Sequence, residues 1–531
     1  MLGWQLDYSL QYSWTVLPAI SDPLNDFPMP HYPLLYQINT RAHLTNLSRA
    51  LGRPATLDDL PDSELDRLAI LGFNWLYLLG VWQIGPQSWQ VARQHPGLQA
   101  EYRRALPDVT EEDICGSCFA IASYTVSEEL GGNAAILRLR ERGRQRGLRM
   151  MLDFVPNHTG LDHPWVQEHP EYYLWASEEE LQSQPHSYIR IANSPKPLIL
   201  AHGRDPYFDG WTDTLQLDYA NPDLQMAMGK ELLSIAGLCD GVRCDMAMLV
   251  LPEVFQRTWG LTAQHFWPEA IARVRRRYPD FNFMAEVYWD METNLQGQGF
   301  DYCYDKRLYD YLLAGEALLA KRHFTAPLPH QEKLAHFLEN HDEKRAAAEF
   351  SPAQHQTAAV LTYTAPGLRF FHEGQLQGWR IKLPVQLCRG PEQPTDPGLA
   401  VFYERLMALL RLPALRDGHW QLLEPQPFSP REDTWQKVIA IGWDLLPNES
   451  STRRQRVLVV VNFAPTFGRC HLHLPWNDLA RQSWHLNDHF SGEVLQYDGD
   501  DLAGQGLYLE LPPWDFNGYI IEAAPKAKGR G

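Results

Sequence analysis

The chain has 531 residues, enough for two to four domains at roughly 100–200 residues each. Its 47 Lys and Arg against 65 Asp and Glu leave a formal net charge of −18, a balance that repels phosphate backbones and anionic lipid, so neither nucleic acid nor a membrane surface is an expected partner. A hydrophobic fraction of 44% excludes a disordered polymer, and no apolar run is long enough to cross a bilayer.

The chain opens Met1-Leu2-Gly3-Trp4-Gln5-Leu6-Asp7, without the basic start and apolar core of a secretory signal. Residues 1–30 read as an N-terminal extension. Seven cysteines, an odd number, fit reduced thiols and a cytoplasmic location better than a disulfide framework. Cys115-Gly-Ser-Cys118 has the spacing of a redox or zinc half-site. With no second CxxC or CxxH in the sequence, it reads as two loop thiols and no metal site is assigned.

Short apolar, β-rich runs follow at Pro33–Leu44, Phe73–Gly85, Leu148–Val155, Gly241–Cys244, Phe281–Tyr288, Phe300–Tyr304, Leu334–Leu338 and Leu368–His372. Amphipathic stretches such as Asn133–Arg146 and His265–Arg277 lie between them. Strands alternating with helices predict an α/β fold with a parallel sheet, and the simplest form at this length is a closed (β/α)8 TIM barrel over 31–410. Periodicity alone leaves an open doubly wound sheet as a rival. From His158 to about Trp211 the chain is polar and proline-rich, which reads as an inserted functional domain at about 159–212. Beyond about Pro425, runs at Trp435–Trp443, Arg456–Asn462, Cys470–Leu474 and Leu507–Leu511 lack intervening helices, predicting a C-terminal β-sandwich over 425–524. The Lys/Gly/Arg-rich residues 525–531 read as a disordered tail.

Chemistry in a parallel barrel sits at the C-terminal ends of its strands. Four predicted strands finish in ionisable clusters: Asp153-Phe-Val-Pro-Asn157-His158, Arg243-Cys-Asp245, Glu286-Val-Tyr288-Trp289, and Glu339-Asn340-His341-Asp342. A lone Asp at a strand end is more simply a helix cap; four clusters in order are not. Alternation puts Arg243 and Asp245 on one side of their strand, where the guanidinium favours an ionised, nucleophilic carboxylate. Glu286 has apolar neighbours, Met284, Val287 and Tyr288, whose desolvation favours a protonated acid at neutral pH. Two carboxyl groups tuned in opposite directions across one cavity are the apparatus of glycosidic bond cleavage.

The four clusters, as DFVPNH, GVRCD, EVYW and ENHD, resemble the four recognition regions of glycoside hydrolase family 13, the α-amylase family, and the resemblance extends over the barrel, the insertion (domain B) and the C-terminal domain. It implies Asp245 as nucleophile, Glu286 as general acid/base and Asp342 as transition-state stabiliser. Arg243, His158 and His341 are implied around the −1 sugar, Asp153 as a structural carboxylate below them, and Phe119 as the sugar's aromatic platform. Trp82, Trp211, Tyr288 and Trp289 are further aromatics near strand ends or the insertion.

The resemblance implies a retaining α-glycosidase acting on α-glucosidic bonds of an oligosaccharide or α-glucan, with no cofactor needed for the chemistry. A transglycosidase of glucanotransferase or sugar-isomerising type uses the same machinery, and a catalytically inactive carbohydrate-binding or scaffold protein is the second alternative. Asn157 matches a residue that binds structural calcium in many relatives, but Leu249 replaces a frequently conserved His, and Met246–Leu249 makes the acceptor side look apolar. Thr214–Pro222 and Ser123 also depart from common family patterns, leaving linkage, chain length and calcium use open. The sequence does not address oligomeric state.

Overall fold

The computed structural model describes residues 28–191, 198–447 and 454–524; the expected extension up to residue 27 and the expected tail at 525–531 lie outside the described residues. Eight parallel strands close into a barrel: β1 (Leu34–Asn39), β2 (Trp75–Leu79), β3 (Arg149–Phe154), β4 (Gly241–Cys244), β5 (Asn282–Ala285), β6 (Tyr302–Tyr304), β7 (Leu334–Phe337) and β8 (Leu368–His372). β1 pairs with both β2 and β8, and this closure removes the open-sheet rival.

Each barrel strand lies within one of the apolar runs, and two runs overshoot for local reasons. Asn39 ends β1 because its side chain accepts the Ala42 N–H at 3.3 Å and caps the helix Thr40–Leu51. The run Phe73–Gly85 breaks at Gly80, where φ is 76° and a Cβ would meet the Cys118 Cβ at 2.7 Å. Strands β2, β4 and β7 are buried along their whole length, as expected where helices cover one face and the barrel interior the other. The predicted helices form as Gly132–Arg144 and Trp267–Arg277.

The insertion leaves the barrel after β3. Its first strand, His158–Gly160, pairs antiparallel with Thr214–Gln216, and a second small hairpin joins Tyr188–Arg190 to Ile199–Ala201. Leu161, Tyr173 and Leu200 are buried in the main core, so the insertion is packed onto the barrel rather than appended to it. The C-terminal region holds a six-stranded sheet and a three-stranded sheet with Val438, Leu458, Cys470, Leu486 and Leu509 in a common core. It also contains strands Ser483–Asp488, Val494–Asp498 and Asp515–Ala523, which the apolar runs do not predict; in each, polar residues interrupt the run. Among the described residues no helix is long and apolar enough to cross a membrane.

Candidate active site

The barrel register brings the strand-end clusters together. Arg243 on β4 stands opposite Asp153 on β3 and Met284 on β5. Hydrogen bonding continues one step past the strand ends: Asp245 N–H donates to Phe154 O at 2.8 Å and Glu286 N–H to Cys244 O at 3.0 Å. Both carboxylates are therefore fixed by ladder geometry at the mouth.

Arg243 is completely buried and lies between them. Its Nη1 is 2.5 Å from Asp245 Oδ1, its Nη2 is 2.7 Å from Glu286 Oε2, and the same Nη2 is 3.8 Å from Asp342 Oδ2. Glu286 also accepts the Met246 N–H at 2.7 Å and the Tyr288 hydroxyl at 2.8 Å. Met246 adopts φ 40°, an uncommon left-handed conformation for a side-chain-bearing residue, and its N–H is thereby turned onto the carboxylate. Asp342 Oδ2 is 2.9 Å from His341 Nε2, whose Nδ1 faces Gln37 Nε2 at 2.9 Å. Lys382 Nζ donates to the backbone carbonyl of Asp342.

Electrostatics separate the three carboxyl groups. Burial pushes Glu286 up to about 7, against the pull of Arg243 and with help from the charges of Asp245 and Asp342. Burial raises Asp245 as well, with Arg243 opposing; the expectation that the guanidinium alone sets this group misses the desolvation, and Arg243 divides its charge between two carboxylates. Asp342, with its side chain 41% exposed, feels an upward pull from burial that His341, Arg243 and Lys382 overcome, and is held well below the usual carboxylate range.

The remaining candidates surround this core. Asp153 is buried beneath it, accepting the Tyr77 hydroxyl at 2.5 Å and the Gly80 N–H at 2.8 Å. The Phe119 ring lies 5.5 Å from the His341 ring, with the Arg243 guanidinium 5.3 Å from its centroid. His158 is pushed down to about 3 by burial and is neutral, and its ring packs 5.2 Å from Trp211 of the insertion. Trp289 meets Tyr207 of the insertion at 5.1 Å, so two parts of the chain distant in sequence share that side of the mouth. Trp82 is core: fully buried, it donates Nε1–H to the Asp153 carbonyl.

Two expectations for the residues around the site change. Ala247–Val250 is a short helical turn whose four residues are buried, so its apolar side chains pack inward and only Met246 is partly exposed. Gln37, Tyr304 and Lys382 join the site without having been predicted from the strand-end clusters. Tyr304, which accepts from Arg243 Nε at 3.4 Å, ends the predicted sixth strand; Lys382 carries no local sequence signal.

The donor set at Asn157 does not fit a calcium ion. Three oxygens, Asn157 O, Asn157 Oδ1 and Leu217 O, converge at 3.0 Å on the amide nitrogen of Gln216, which stands at the focus a cation would take. Among the described residues no group of three His, Cys, Asp or Glu side chains is placed to hold a metal, whereas calcium requires six to eight oxygens, carboxylates prominent among them.

The structure is a closed parallel barrel with an insertion after β3 and three carboxyl groups around one guanidinium at its mouth. Residues 108–303 match the family model of the α-amylase catalytic domain. Over 273 residues, 48% of this chain and 36% of the relative, the sequence is 23% identical to the α-amylase MalA of Haloarcula japonica. Over 233 residues, 42% of this chain and 28% of the relative, it is 25% identical to an α-1,4-glucan:maltose-1-phosphate maltosyltransferase of Chlorobaculum tepidum. The chain thus spans about a third of the length of these curated relatives. The maltogenic α-amylase AmyB of Thermotoga neapolitana superposes with a TM-score of 0.65 at 16% identity, covering 93% of this chain and 99% of that one. Residues 108–303 thus match the catalytic domain of the α-amylase family, and these likenesses support membership of glycoside hydrolase family 13.

Proposed function

We propose that the protein is a retaining α-glycosidase that hydrolyses α-glucosidic bonds of an oligosaccharide or α-glucan. The observation that carries this reading is the fork of Arg243, which holds Asp245 at 2.5 Å and Glu286 at 2.7 Å on adjacent nitrogens. Two carboxyl groups held on one guanidinium are placed to act on the same bond, one as nucleophile and one as acid/base, the pair that double displacement uses.

In this mechanism Arg243 engages Asp245 Oδ1 and leaves Oδ2 to attack the anomeric carbon. Glu286, pushed up to about 7, holds the proton that the leaving oxygen takes. The glycosyl ester on Asp245 is then opened by water that Glu286 deprotonates, restoring both groups. Asp342, strongly anionic beside His341, accepts sugar hydroxyls as positive charge develops on the ring. Phe119 offers an aromatic face to that sugar. No cofactor enters these steps, and a cytoplasmic enzyme with a soluble glucan substrate is the setting we infer.

Transglycosylation is the second reading, favoured by the relatives named as maltosyltransferases and as a trehalose synthase/amylase of Mycobacterium tuberculosis. An inactive scaffold has less support, because the full carboxylate set is present. The test is product analysis with maltose, maltoheptaose, sucrose, trehalose and glycogen. Hydrolysis releases shorter sugars with one new reducing end per bond cut; transfer yields longer products at constant reducing ends, or isomers of the substrate without net release of a shorter sugar; no product from any substrate overturns both readings.

A further inference from the structure

The motif Cys115-Gly-Ser-Cys118 does not pair within itself. Cys118 is buried in the core, and the residue beside Cys115 is Cys388, far along the chain. The two segments meet at an antiparallel bridge, Ile114 opposite Leu387, flanked by Cys115 N–H donating to Gln386 O at 2.8 Å and Cys388 N–H donating to Asp113 O at 2.9 Å. Ile114 and Leu387 point into a small core with Ala92, Tyr102 and Leu106, so alternation sends both cysteines to the opposite face, diagonal to one another. Each sulfur leans across the pairing: Cys115 Sγ lies 3.3 Å from Gln386 O and Cys388 Sγ 3.4 Å from Asp113 O. Arg389 clamps the register, donating from Nε at 2.5 Å and Nη2 at 2.7 Å to the Asp113 carboxylate.

These two thiols differ from the other five. Cys118, Cys239, Cys244, Cys303 and Cys470 are buried, whereas Cys115 and Cys388 are partly exposed and line a solvent-open cavity of about 400 Å³ with Arg41, Ser48 and Trp89. The Cys388 thiol is pulled down to about 7, first by a hydrogen bond from the Cys115 thiol, which is itself pushed well up. The lowered Cys388 thiol and its raised neighbour, both opening onto this cavity, are placed to act as attacking and resolving thiols.

We propose that Cys115 and Cys388 form a reversible disulfide site that reacts with small disulfides such as oxidised glutathione. The Cys388 thiolate attacks one glutathione sulfur, forming a mixed disulfide and releasing the other glutathione as thiolate. Cys115, giving its proton to solvent, then attacks the Cys388 sulfur and expels the second glutathione. Two protein thiols become one disulfide while one glutathione disulfide becomes two thiols. Cys115 lies four residues before Phe119 and Cys388 six after Lys382, so the bond staples together the two loops that carry these flanking groups of the catalytic mouth.

The full chain, incubated with oxidised and reduced glutathione at graded ratios, is mapped by peptide mass spectrometry and thiol titration, with amide exchange measured on the end states. The expected result is loss of two accessible thiols, a joined peptide pair containing Cys115 and Cys388, slowed exchange at 106–120 and 380–390, and full reversal by dithiothreitol. Cys115→Ser should arrest as a stable glutathione adduct on Cys388, and Cys388→Ser should form no link. Two free thiols at every ratio, a stable adduct on the wild type, or a Cys115–Cys118 link would each overturn the proposal. None of these readouts depends on turnover.

Discussion

The guanidinium of Arg243 lies 2.7 Å from the Glu286 carboxylate, although its sequence neighbour Asp245 is the partner that strand alternation predicts. One buried cation thus holds two carboxyl groups that the proposed mechanism requires to differ in protonation. Burial raises both. Met246 N–H and the Tyr288 hydroxyl donate to Glu286 and oppose that rise without cancelling it, while Asp245 keeps Arg243 Nη1 at 2.5 Å.

The first prediction concerns pH. With Glu286 at about 7, the proton needed by the leaving group is present below that value and lost above it. The alkaline limb of kcat/KM is expected near pH 7. Tyr288→Phe removes a donor that favours the ionised carboxylate, so the limb should move upward, with the change read from pH–rate profiles of the two proteins. An unshifted or lowered limb would contradict this assignment of Glu286.

A second expectation rests on the sharing of Arg243. Arg243→Ala leaves two buried carboxyl groups without their cation, a loss on the order of 3–5 kcal/mol in stability, visible as a lower denaturation midpoint at pH 8. At pH 5 the deficit should shrink, because protonating groups whose folded pKa is raised stabilises the folded state relative to the unfolded one. Arg243→Lys retains charge but loses the fork, so it should fold better than the alanine variant while remaining slow.

Gln216 gives a third test. Because its amide nitrogen occupies the focus of three oxygens, EDTA should leave activity and Tm unchanged. Gln216→Leu should lower Tm by leaving those buried acceptors unpaired, a cost of about 1–3 kcal/mol each at most. A fall in Tm with EDTA, reversed by calcium, would count against a Gln216-filled site at Asn157.

Much of the fold and site is legible in the sequence. The barrel strands are short, apolar and buried on both sides, so composition marks them without periodicity, and the polar clusters stand out because they interrupt those runs at one end. The features that stay hidden depend on distance in the chain. Glu286 reaches Arg243 only through barrel register, and the Cys115–Cys388 pairing joins segments that no local pattern links. The Met246–Leu249 stretch misleads because apolar residues beside the proposed nucleophile look like a site wall, whereas the backbone turns Ala247, Met248 and Leu249 inward. Polar alternation in Ser483–Asp488 and Val494–Asp498 leaves strands on the outer part of the C-terminal sheet with too little apolar signal.

The nucleophile assignment predicts that Asp245→Asn retains the fold, since Glu286 still partners Arg243, while turnover falls by ~10⁴-fold or more. The measurement that bears most directly on the mechanism is proton NMR of the sugar as it is released by the wild-type protein, before mutarotation. Two displacements at the anomeric carbon restore its configuration, so the α-anomer should appear first. If the β-anomer appears first, the reaction proceeds by a single displacement and Asp245 is not the nucleophile.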